Sequence, residues 1–197
     1  MTSEKSILRR VISADDVRVA CPLFHAERSG SIPTSALHLT ILPIATIETV
    51  KLNRLWHSRL PEIGNAHMCF CYVAEHDGIY YAVAMWSPPV ARAFNGRGYL
   101  ELRRLAIAND APKNTASRMI AIMTRLIRRE RPETKRLISY QDTEVHDGTI
   151  YRAAGWTPCV QSSSARIWNM PNRYRKKTQT AAPKIRWEKI LHKEATP

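Results

Sequence analysis

Cysteine is scarce and scattered: Cys21, Cys69, Cys71 and Cys159 form no CxxC pair and no dense framework. That spacing excludes a disulfide-stapled scaffold and predicts buried thiols in a reducing compartment. Cys69 and Cys71 alternate with Met68, Phe70 and Tyr72, which puts both thiols on one face of a strand. No apolar run approaches the length of a membrane span. Behind Lys5, Arg9 and Arg10 comes Asp15-Asp16, where a secretory signal would have an apolar stretch. A soluble cytoplasmic protein with no membrane partner is expected. Acidic residues are outnumbered, 17 Asp and Glu against 30 Lys and Arg, for a net charge of +13 and a pI near 10.0. Such a surface attracts polyanions, chiefly nucleic acid, through counterion release.

What is present suits a folded domain. The 197 residues are 44% hydrophobic and include five Trp, enough for one real core with tails. Residues 1–35 are polar, with Ser, Gly and Pro near Ser29–Pro33, and read as an N-terminal arm. A catalytic domain is expected over 36–171. Within it, Leu37–Ile44 reads as a strand and Thr46–Arg59 as a helix stopped by Pro61. Met68–Glu75 and Ile79–Ser87 form a hairpin, because Asp77-Gly78 suits a tight turn needing positive φ. Tyr99–Ile107 is a strand. Asn114–Arg129 is a helix with Met119, Ile122, Met123, Leu126 and Ile127 on one face and its arginines elsewhere. Arg136–Tyr140 is a strand, Thr149–Ala154 a short helix closed by Gly155, and Ser164–Asn169 an edge strand. From residue 172 to 197, eight Lys/Arg stand against two Glu, with Tyr174 and Trp187 interleaved. This stretch reads as a basic extension able to lie on phosphates and offer rings for stacking, or equally as a solubilising tail. The order implies an α/β fold with a central mixed sheet flanked by helices, and a right-handed crossover around the long helix.

Ile138–Trp156 concentrates the chemistry. Asp142, Glu144, His146, Asp147 and Tyr151 fall within ten residues, directly behind an apolar strand. The carboxyl end of a strand is where open α/β sheets leave a crevice for ligands. Asp142 and His146 lie at i,i+4, on one side of a helical turn, which fits proton transfer or metal binding. The same residues also suit a plain helix start, with Asp142 or Thr143 as cap and Glu144 favouring the dipole.

The element order resembles the acyltransferase fold of the GNAT superfamily, in which strands on either side of the central helix splay and donor meets acceptor in the gap. Within it, LWHSRLP (Leu55–Pro61), LELRRLAI with PKNTASRMI (Leu100–Ile120), and SYQD followed by HDGTIYRAAGW (Ser139–Trp156) resemble the bacteriophage Mom-type DNA modification proteins. The resemblance covers roughly residues 37–170. It implies conversion of adenine N6 in double-stranded DNA to a carbamoylmethyl derivative that protects phage DNA from restriction. It further implies iron, placed at His57 and Asp142. One departure stands out: the GNAT pyrophosphate loop uses glycines so that backbone N–H groups reach the phosphates, whereas Ala111–Ser117 here contains none. That departure counts against acetyl-CoA as the donor and in favour of another activated molecule, small or carrier-bound.

The candidate roles follow from residue type. His57, Asp142 and His146 meeting at a pocket mouth would give two imidazoles and a carboxylate suited to Fe(II). His57 equally suits a surface position beside Trp56, and His146 a loop hydrogen bond. Asn114, Thr115 and Ser117 open the long helix, where they would bind an anionic donor or simply cap. Of Arg103 and Arg104 only one faces the cleft by alternation; Arg103 is the expected clamp for a carboxylate or phosphate of the donor. Tyr151 resembles the tyrosine that protonates the leaving group in acyltransferases, and packing of its ring would explain it as well. A conventional N-acetyltransferase and a non-catalytic DNA-binding protein on the same scaffold are the competing functions.

Overall fold

The computed structural model describes residues 32–63, 69–94, 96–162 and 183–192. Along the chain run β1 (Thr40–Ile44), α1 (Thr46–Trp56), β2 (Phe70–His76), β3 (Ile79–Ser87), β4 (Tyr99–Ile107), α2 (Thr115–Glu130), β5 (Arg136–Asp142), α3 (Thr149–Ala153), β6 (Thr157–Ser162) and β7 (Lys184–Ile190). The strands are ordered β1-β2-β3-β4-β5-β7-β6. β1 and β2 pair antiparallel, as do β5 with β7 and β6 with β7, while β4 and β5 run parallel. The parallel pair is the one joined through α2, since parallel neighbours need a crossover. Among the described residues no helix is long and apolar enough to cross a membrane. The chain divides into two compact units, residues 1–85 with 104–119 and residues 86–103 with 120–197.

In the first unit, Asp77 (φ 49°) and Gly78 (φ 76°) form the expected turn between β2 and β3. Leu52 of α1, Val73, Val83 and Ala106 make a buried cluster against which Ile44, Trp56 and Tyr80 pack. The helix ends at Trp56, short of Arg59, because His57 leaves helical geometry at φ −85°, ψ 103° while its N–H still bonds the Asn53 carbonyl at 2.8 Å. Leu37 and His38, expected in the first strand, belong to a 3₁₀ turn (Ala36–His38).

In the second unit, Met123 and Ile127 of α2 are buried, and Arg125, Arg128 and Arg129 are exposed as the helical spacing predicts. The main departure concerns the carboxyl-terminal stretch. Lys184–Ile190, inside the segment read as a basic extension, is β7 and lies between β5 and β6. Trp187 is 1% exposed, so its ring is core and not a stacking platform for bases. The edge position belongs to Thr157–Ser162, whereas the strand expected at 164–169, and Tyr174, lie outside the described residues.

Candidate active site

β5 delivers Asp142 as its last residue, opposite Lys184 in the β5–β7 register. The chain then turns at once. The Asp142 carbonyl accepts from the N–H groups of Val145 (3.2 Å) and His146 (3.1 Å), and its carboxylate Oδ1 accepts from the Glu144 N–H at 3.1 Å. The carboxylate is thus oriented by its own loop, in an Asx-type turn. The His146 ring is exposed, and its carbonyl, not its imidazole, is what the loop fixes, through Gln141 Nε2. The Gln141 side chain is itself held, accepting from Trp187 Nε1 at 2.7 Å. Gly148 (φ 71°) closes the loop against the same indole. Arg152 ties the far side, donating to the Asp147 carbonyl at 2.6 Å and lying 5.7 Å over Trp187.

Tyr151, 7% exposed, stacks on Trp187 with centroids 5.4 Å apart at 17° and tilts against Trp156 at 5.8 Å. Its hydroxyl lies 2.9 Å from Ser139 Oγ, and Ser139 donates its one proton to the Leu102 carbonyl at 3.2 Å. Tyr151 is therefore the donor of the pair. Burial holds the Tyr151 pKa above its ordinary value. Both roles expected of Tyr151 are compatible with this: the ring packs, and the phenol keeps its proton.

Strand alternation sorts the candidates onto two faces. Tyr99, Arg136, Glu101 and Ile138 are register partners across β4 and β5, which places Arg103 and Asp142 on their face. Ser139, Gln141 and Trp187 occupy the other face, and Tyr151 packs there. Arg103 thus travels with Asp142 and not with Tyr151.

In the first unit, His57 is half-buried and its Nδ1 accepts the Leu60 N–H at 3.2 Å. Asn53, fully buried, donates to the carbonyls of Leu60 and Pro61 at 3.0 Å each, so the LWHSRLP loop is braced from the helix. With Nδ1 occupied as an acceptor, the neutral ring carries its proton on Nε2. A metal-binding imidazole has the reverse pattern, donating one N–H and ligating through the other nitrogen. The Leu60 bond therefore lends no support to His57 as an iron ligand. Among the described residues no group of three or more His, Cys, Asp or Glu is placed to hold a metal. Iron gains no support from His57, Asp142 and His146.

The start of α2 resolves the missing glycine. Asn114 adopts φ 67°, the left-handed conformation a glycine would supply, which asparagine tolerates better than most residues. Thr115 is 2% exposed and donates to the Pro112 carbonyl at 2.7 Å; Ser117 Oγ donates to the Asn114 carbonyl at 3.1 Å. Both hydroxyls brace the turn. Asn114→Gly is expected to preserve or slightly raise thermal stability, whereas Asn114→Val should cost about 1–2 kcal/mol; denaturant titration of the two variants checks it, and equal stabilities would contradict the reading.

Residues 78–196 match the Mom protein family, more than half of the chain. The chain belongs to that family. The matched segment begins after LWHSRLP, so His57 lies outside it, and it reaches past β7, which therefore belongs to the family's domain. Comparison with curated proteins gives no match. Solved structures share the fold. One is a Bacillus subtilis acetyltransferase in complex with CoA, 11% identical, TM-score 0.56, covering 78% of this chain and 99% of that one. A second is the Escherichia coli ribosomal-protein-S18-alanine N-acetyltransferase, 9% identical, TM-score 0.57, covering 80% and 96%. A third is a Salmonella typhimurium acetyltransferase solved with its cofactor acetyl-CoA, 11% identical, TM-score 0.57, covering 81% and 98%. The fold of this Mom-family chain is that of the GNAT acetyltransferases, and family and fold together support an acyltransferase-like DNA modification.

Proposed function

We propose that this protein modifies adenine N6 in DNA, converting it to a carbamoylmethyl derivative in the manner of a phage anti-restriction system. The observation that carries the reading is family membership over residues 78–196 on an acyltransferase fold. Adenine N6 is a weak nucleophile because its lone pair is delocalised into the ring, and inside a duplex it is paired. The base must be extruded at a cost of a few kcal/mol, which phosphate contacts from a +13 chain help offset.

In this reading N6 bonds to the donor's electrophilic carbon while the bond from that carbon to its leaving group breaks. Asp142 takes the N6 proton, and the Tyr151 phenol returns one to the leaving group. Their opposite faces suit this division, with the acceptor base beside Asp142 and Arg103 and the leaving group on the Tyr151 side. Arg103 then serves as a phosphate clamp for the acceptor.

Mass analysis of nucleosides from DNA of cells expressing the protein tests this. A gain on deoxyadenosine is expected, lowered about a hundredfold or more by Asp142→Asn; unaltered nucleosides with soluble protein would end the reading. Tyr151→Phe should lose activity while folding normally. It should also lose an alkaline weakness. A phenol whose folded pKa is raised contributes stability that is complete below its unfolded pKa and declines as pH climbs through the folded one. Thermal unfolding between pH 8 and 11 reads this: the wild type should weaken more than Tyr151→Phe.

A second reading, N-acetylation of an amine other than DNA, draws on Asn114, which takes the left-handed conformation (φ 67°) that a glycine would supply before α2. Acetyl-CoA-dependent transfer to amines without DNA would favour it.

A further inference from the structure

We propose that the amino-terminal end of the β4–β5 pair is a docking surface for phosphates of duplex DNA flanking the modified base. The choice of duplex as occupant rests on the adenine-modification reading; the surface itself rests on geometry. Three segments of the second unit meet at this end. The Lys135 and Arg136 N–H groups both donate to the Gly98 carbonyl, at 2.7 and 3.2 Å, and the Leu191 N–H donates to the Lys135 carbonyl at 2.9 Å. The loop before β4 therefore lies directly on the loop that leaves α2. Gly98 (φ 73°) permits the approach, since a Cβ there would stand 2.9 Å from the Glu133 carbonyl oxygen.

The residues displayed at this junction are cationic. Arg97, Arg128, Arg129 and Lys135 are exposed, and Arg131 is half-buried. Against them stand the exposed Glu130, paired with Arg129 at 3.0 Å, and Glu133. None of these cations has a part in the proposed chemistry. They also lie at the wrong end of the strands for it, since β5 runs seven residues from here to Asp142. At about 3.3 Å per residue the separation along β5 is roughly 20 Å, close to the rise of about six base pairs at 3.4 Å each. A duplex whose target base is at Asp142 would carry its flanking phosphates to this end. Flexible guanidiniums on two loops and a helix end suit a backbone contact that holds register without reading sequence.

Fluorescence anisotropy across a salt series, with a labelled duplex of about 20 base pairs that spans this separation, tests the proposal. The R97E/R128E/K135E variant is expected to bind at least about tenfold more weakly, with the slope of log K against log salt shallower by about 2–3. The neutral R97Q/R128Q/K135Q variant should show a similar loss of slope with unchanged thermal unfolding. A variant with the same charge change in the first unit, K51E/R54E/R59E, should keep the wild-type slope. Wild-type affinity and slope in the first two variants, or an equal loss in the control, would overturn the proposal. So would unchanged duplex binding accompanied by lost binding to anionic phospholipid vesicles. Modification of a short single-stranded oligonucleotide should proceed at the wild-type rate in R97E/R128E/K135E. If wild-type DNA carries no altered nucleoside while duplex binding still depends on these residues, the adenine reading fails and the docking surface stands.

Discussion

Replacing Trp187 by alanine is expected to cost about 3–5 kcal/mol of folding stability, the range for deleting a large buried aromatic. Trp187 sits in the middle of β7, 1% exposed, with Tyr151 stacked on its ring and Arg152 over it. Truncation removes that packing and strips Gln141 Oε1 of its indole donor. A buried acceptor left without a partner adds about 1–3 kcal/mol of its own. Because Gln141 also fixes the His146 carbonyl, the Asp142–Gly148 loop should loosen, and DNA modification should fall even where the protein still folds. Trp187→Phe keeps the ring stack and forfeits the hydrogen bond alone, so it should lose the smaller increment. Urea titration of both variants decides the matter; a Trp187→Ala protein within about 1 kcal/mol of wild type would mean that β7 is peripheral.

Gly148→Ala should be nearly as damaging for one methyl group. A Cβ at this position would stand 2.5 Å from Gln141 Oε1, 3.0 Å from Trp187 Cε2 and nearer still to Trp187 Cζ2. Neither neighbour yields easily, since each is hydrogen-bonded to the other and the indole is packed on Tyr151. The backbone compounds the cost: φ is 71°, where a side chain adds about 1–2 kcal/mol. Overpacking adds about 1–3 kcal/mol, for an expected total of about 2–5 kcal/mol. Gly96, also at positive φ (72°), has open space for 4 Å around the place a Cβ would occupy, so Gly96→Ala should incur only the backbone part. The comparison separates the two contributions by thermal unfolding, and equal losses at the two sites would refute the crowding argument.

Much of the fold was legible because local rules and tertiary context agree in it. The Asp77-Gly78 turn, β4 at Tyr99–Ile107 and the long helix within one residue of Asn114–Arg129 all follow from turn chemistry and periodicity. β6 and β7 did not. Thr157–Ser162 contains Pro158 and a bulge between Pro158 and Val160, which breaks alternation, and Lys184–Ile190 has the composition of a solvated tail. Its charges are accommodated only in three dimensions: Glu188 is buried between Arg136 at 3.4 Å and Arg186 at 2.8 Å, and Arg186 covers Phe94 at 4.9 Å.

The candidate site divides in the same way. The amino-acid order alone established that Asp142 comes directly behind a strand read as Arg136–Tyr140, which in the structure extends through Asp142, that His146 and Tyr151 follow it closely, and that a turn without glycine precedes the long helix. Those are properties of neighbours along the chain. Which atoms serve as donors was decided by folding. The Leu60 N–H takes His57 Nδ1; Ser139 leaves Tyr151 its proton; Asn114 assumes the conformation glycine would have provided. Sheet pairing set Arg103 on the same face as Asp142 and Tyr151 on the other, because side chains alternate faces and only a partner strand fixes which face is which.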